Sequence, residues 1–76
     1  MPTDERPRFL TLRRESGLTS EQVAKEARLS LSDEYRAEIG SAIEPEIATR
    51  ILTAFSTLTG KAWTMQETAI NVQREG

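Results

Sequence analysis

The apolar residues of this chain recur at helical spacing, in short segments that each carry their own start signal. The longest runs from Pro45 to Leu58, where Ile47, Ile51, Ala54, Phe55 and Leu58 follow at steps of four, three, one and three and make one stripe along a helix. Pro45 suits its first turn, where the amide that proline lacks would be unpaired anyway, and Gly60 suits its exit. Earlier, Phe9, Leu10 and Leu12 lie among Arg8, Arg13 and Arg14, which predicts a short amphipathic helix over residues 7–15 that Gly17 stops.

Three boxes of hydroxyl residues mark further helix starts. Thr19 and Gln22 form a capping box, in which each side chain serves the other's amide, and Val23, Ala24 and Ala27 follow at helical spacing. Ser30 and Asp33 repeat the signal with aspartate in the reciprocal position, predicting a helix of about two turns over residues 32–39. Thr64 and Glu67 open a last helix, read as Thr64 to Val72, before the polar tail 73–76. No segment alternates with period two, so no strand is expected. The prediction is an all-α domain of five short helices.

Composition narrows the chemistry. With 76 residues the chain is read as one domain, 1–76, which buries only about 60% of its unfolded surface and leaves little redundancy in the core. The absence of cysteine removes disulfides and thiolate metal sites, and the absence of histidine removes the usual general base and the commonest metal ligand. Asp33 and Glu34 do not make a catalytic carboxylate pair, because neighbouring helical residues point about 100° apart. No nucleophile–base pair, metal cluster or phosphate loop is visible, so an enzyme, a metal and a cofactor are all unexpected. No apolar run approaches the roughly 20 residues that span a bilayer, and the first residues carry Asp4, Glu5, Pro2 and Pro7 where a signal peptide would be apolar, so a cytoplasmic protein is expected.

The stretch from Leu18 to Gly40 is the informative one. A capped helix, the linking residues Arg28, Leu29 and Ser30, and a second capped helix make the outline of a helix-turn-helix. Ala24 and Ala27 allow close approach of the second helix, Leu29 plugs the corner, and the outer side of that helix is left for a major groove.

On these residues the chain resembles the lambda-repressor-like (xenobiotic-response-element-type) transcriptional regulators. The resemblance is carried by Leu12-Arg13, Gly17-Leu18-Thr19, Val23-Ala24, Leu29-Ser30, Tyr35-Arg36-Ala37-Glu38, Gly40, Ile51, Ala54 and Phe55, and it covers about residues 8–68. It implies a five-helix DNA-binding domain with an arm over 1–6, the helix-turn-helix over about 19–40 and helix 31–39 in the major groove of double-stranded DNA. Arg13 and Glu38 occupy the positions of a structural clasp. The DNA-facing residues would be Ser20, Leu31, Ser32 and Arg36, with Arg36 gripping guanine. Arg28, Ser41, Arg6 and Arg8 would touch phosphate. A homodimer through residues 61–72, with Met65, Ile70 and Val72 at its surface, would give two half-sites.

Three features depart from that pattern. Arg28 stands where the family often has glycine, so a left-handed backbone there is strained. Asp33 and Glu34 put two negative charges on or beside the reading helix, and Glu34 takes a position usually filled by an inward apolar residue. The net charge of −2 is also awkward for a DNA binder. Together they raise the alternative of a protein-interaction module that keeps the fold without binding DNA. Tyr35 is expected in the core or at a phosphate-contacting rim, and Trp63 against the last two helices or in a dimer contact.

Overall fold

The structure is a computed structural model that describes residues 8–73. Its helices are α1 (Arg8–Glu15), α2 (Ser20–Ala27), α3 (Leu31–Glu38), α4 (Pro45–Thr59) and α5 (Met65–Thr68). Among the described residues there is no strand and no helix long and apolar enough to cross a membrane. The arm 1–6, Arg6 with it, and residues 74–76 of the tail lie outside the described residues.

Both reciprocal boxes form. The Thr19 hydroxyl accepts from the Gln22 amide at 3.1 Å while the Thr19 amide donates to Gln22 Oε1 at 2.8 Å, and Thr64 and Glu67 repeat the exchange at 3.1 and 3.0 Å. Ser30 caps α3 by accepting from the Asp33 amide at 3.1 Å. That bond puts Leu31 in the first turn, so α3 begins one residue before the expected start. It also ends one residue early, with Ile39 at its C-cap.

α5 is the larger correction. The expected helix to Val72 stops at Thr68, because Ala69 turns into the left-handed region (φ 54°). The chain then runs extended beside Ile43: the Ile43 amide donates to the Asn71 carbonyl at 2.9 Å, and the Gln73 amide to the Ile43 carbonyl at 2.7 Å. These two bonds make an isolated parallel bridge that closes the C-terminal segment onto the α3–α4 connection. Ile70 is thereby buried, and Val72 packs half-buried on the same core.

α4 is the spine, and its buried side carries Ala48, Ile51, Ala54 and Phe55. Phe55 meets Phe9 of α1 edge-on at 5.1 Å and lies 5.3 Å from the Trp63 ring. Trp63 is half-buried; its indole N–H donates to Thr59 Oγ1 at 2.9 Å, and Lys61 Nζ sits 4.0 Å above the ring. Val23 and Ala27 of α2 join this core, so α2 is held on α4 and α3 is carried outward from it.

Candidate nucleic-acid interface

The corner between α2 and α3 is built by backbone hydrogen bonds. The Leu29 amide reaches back to the Ala24 carbonyl at 2.9 Å and the Arg28 amide to Lys25 at 3.1 Å, the two bonds of a Schellman closure. Such a closure needs a left-handed residue, and Arg28 supplies it at φ 59°, ψ 45°. An L side chain there costs about 1–2 kcal/mol relative to glycine. The end of α3 makes the same closure without strain: Ser41 donates to the Arg36 carbonyl at 3.0 Å across Gly40, whose φ of 84° glycine adopts freely.

Leu29 is half-buried against the core, and Ala24 and Ala27 are buried where α2 meets α3. The direction of α3 is set by this corner and by its inner face, which carries Ala37 with two glutamates. Glu34 and Glu38 are both wholly buried. Arg13 of α1 answers them: its Nε lies 3.0 Å from Glu38 Oε1, and its Nη1 donates to the Leu18 carbonyl at 2.7 Å. One guanidinium thus ties α1 to α3 and to the loop before α2.

Neither oxygen of Glu34 has a donor within reach when both carboxyls are treated as acceptors. The chemistry closes when Glu34 keeps its proton and donates to Glu38. Burial, with Glu38 beside it, pushes the Glu34 carboxyl from 4.5 up to about 9. The expectation of two negative charges on the reading helix is therefore corrected. Glu34 fills the inward position as a neutral acid, and of the two only Asp33 is at the surface, half-exposed.

The outer face of α3 has the opposite character. Leu31, Tyr35 and Ile39 are 49%, 54% and 44% exposed, at i, i+4 and i+8 along one side of the helix. Tyr35 is thus at the surface and not in the core. The stripe needed no structure to find, since the spacing of four is written in the chain. Sequence reasoning singled out Leu31 alone.

Ser32 is exposed beside the stripe, and Ser20, Glu21, Leu31, Ser32 and Tyr35 line a shallow cleft between the start of α2 and the start of α3. Arg36 is exposed, but its guanidinium is engaged: Nη2 donates to the Ala42 carbonyl at 2.9 Å and Nη1 lies 3.6 Å from Asp33 Oδ1. Arg28 projects from the turn, exposed, and Ser41 is half-buried just beyond α3. Ser20, Leu31 and Ser32 are thus brought together, with Arg36 further along α3, whereas Arg28 sits in the turn beyond the far end of α2, beside Thr49 and Arg50 of α4. Arg8 is instead drawn to α5, donating from Nε to the Glu67 carbonyl at 3.4 Å. Glu21, which sequence reasoning passed over, brings a negative charge to the cleft rim. No group of three or more acidic residues that could hold a metal occurs among the described residues.

The chain matches no protein-family model, no curated protein and no solved structure.

Proposed function

We propose that this protein is a sequence-specific DNA-binding transcriptional regulator of the lambda-repressor-like kind, with residues 19–40 as its helix-turn-helix and α3 as the helix that enters the major groove. The observation that carries this reading is the division of α3 into two faces. Glu34, Ala37 and Glu38 anchor it to α1 and the core, while Leu31, Ser32, Tyr35 and Arg36 stand outside beside Ser20 of α2. A helix held from behind and bare in front is what a major groove, about 12 Å wide, admits.

In this reading Ser32 meets a base edge, and Ser20 donates to phosphate alongside the amides that open α2. Arg28 serves phosphate. Arg36 serves guanine or phosphate by exchanging the Ala42 carbonyl and Asp33 for acceptors on the DNA. One such unit makes few base contacts, so two copies on half-sites one helical turn apart complete the proposal. The surface for that pairing is the shallow cleft lined by Met65, Gln66, Ala69, Asn71 and Val72, without Ile70, which was expected at that surface and is instead buried in the core.

Fluorescence anisotropy with labelled random duplex at low salt is the direct test. A reader of DNA gives weak binding that falls steeply as salt rises. Arg36→Ala then weakens binding to a selected site by about 1–3 kcal/mol. Absence of any salt-dependent binding removes the proposal. It would favour the second reading, an interaction module for a protein partner, to which Glu21 at the cleft rim and the net charge of −2 point.

A further inference from the structure

On the outer face of α3 the polar groups are few or already engaged. Arg36 is bonded to the Ala42 carbonyl and faces Asp33. What stands free over the length of the helix is apolar: Leu31, Tyr35 and Ile39, the large hydrophobic side chains left exposed among the described residues. An aromatic side chain such as Tyr35 covers roughly 150–250 Å² when fully buried, and leucine and isoleucine somewhat less. Three of them, each about half exposed, offer on the order of 300 Å². That is far below the roughly 800 Å² per partner of a standard protein interface. It is ample for a helix in a groove, where the ligand is narrow and the contacts are single groups.

Within a major groove one base presents an apolar group, the C5 methyl of thymine. Successive base pairs rise about 3.4 Å along one strand, and a helix advances about 6 Å over four residues. Leu31, Tyr35 and Ile39 are therefore spaced to meet methyl groups about two base pairs apart. Arg36 on the same helix supplies a cation that complements the phosphates flanking such steps.

We infer that the protein chooses its site by thymine methyl groups, through Leu31 and Tyr35 with Ile39 extending the contact, so that its preferred duplex carries A·T pairs at alternate steps. This inference rests on the DNA-binding reading above.

The test starts from a duplex selected by the full chain out of a random library. Every thymine in the selected site is then replaced by uracil, which removes the methyl and keeps the base-pairing and hydrogen-bonding groups. Each contacted methyl is expected to contribute about fourfold in affinity, the factor that burial of one such group gives. Placing 5-methylcytosine–guanine pairs at the uracil positions restores the methyl on a different base and should recover part of the loss. Leu31→Ala and Tyr35→Ala should each reduce the thymine-over-uracil ratio, and both residues are exposed enough to be changed without disturbing the core.

Equal binding of thymine and uracil duplexes, with salt dependence intact, overturns the inference and leaves the DNA-binding reading standing. A thymine preference that survives in both alanine variants overturns the assignment to α3. If no duplex binds at any salt concentration, the DNA-binding reading falls and the inference with it.

Discussion

α3 and α4 lie side by side in the chain and solve burial in opposite ways. α4 buries Ile51, Ala54 and Phe55 as its apolar period predicts, with Ala48 beside them, while Ile47 and Leu58 of the predicted stripe are only partly buried. α3 buries Glu34, Ala37 and Glu38 and turns Leu31, Tyr35 and Ile39 to the outside. The first helix is stabilised by removal of apolar surface from water, a diffuse term that any well-shaped side chain can supply. The second is held by one ion pair and one retained proton, which are directional and fail when a partner is lost. What α3 gives up in hydrophobic burial it keeps as an apolar outer face, and that face is where a ligand would sit.

Removing one anchor from each helix should cost similar amounts for different reasons. Phe55→Ala leaves a cavity against Phe9 and Trp63 and is expected to cost about 3–5 kcal/mol in urea unfolding. Arg13→Met strands the Glu38 carboxylate in the interior and should also cost about 3–5 kcal/mol. The two part company on rescue. Adding Glu34→Leu and Glu38→Leu to Arg13→Met should return the stability to the parent's level or above it by about 1–4 kcal/mol. A triple variant as unstable as Arg13→Met would break the comparison, because the inner face of α3 would then need its charges for more than pairing.

The pH dependence sharpens it further. The folded protein holds the Glu34 proton up to about 9, whereas an unfolded chain loses it near the ordinary glutamate value of 4.5. A carboxyl raised on folding contributes stability in full below 4.5, and loses it as pH climbs towards 9. Denaturation midpoints across that window should fall for the parent, and Glu34→Gln should flatten the curve and be the more stable protein at pH 8. Parallel curves for the two proteins would show that Glu34 is ionised in the fold.

Smaller effects belong to the corner and the outer face. Arg28→Gly should relieve the left-handed strain and raise stability by about 1 kcal/mol and, under the proposed DNA-binding function, lower the salt dependence of binding by one phosphate's share. Tyr35→Ala should leave stability within about 0.5 kcal/mol, since the ring contributes little to the core. A larger loss in thermal unfolding would mean that the outer stripe is structural.

Much of the local structure was legible beforehand because its causes are local. The capping residues Thr19, Ser30 and Thr64 act on amides three residues away, and the stripe from Ile47 to Leu58 has the period of the helix it builds. The corner at Arg28 was likewise visible, as a place where glycine would have been easier. The candidate site was legible in its position, and less so in its character. Leu31, Tyr35 and Ile39 share a spacing that could have marked them as one face, but spacing does not say which face turns inward when both carry side chains of unexpected polarity.

The sequence by itself therefore determined that this is an all-helical chain, and where most of its helices start, since those interactions span at most a few residues. Three matters were decided by the tertiary structure. The C-terminal segment leaves its helix at Ala69 to pair with Ile43, a partner almost thirty residues away. Arg36 finds the Ala42 carbonyl beyond the end of its own helix. Glu34 stays neutral because α1, α3 and the core close over it together. Burial and long-range pairing depend on which elements meet in space, and the polarity of a residue does not reveal that until they have met.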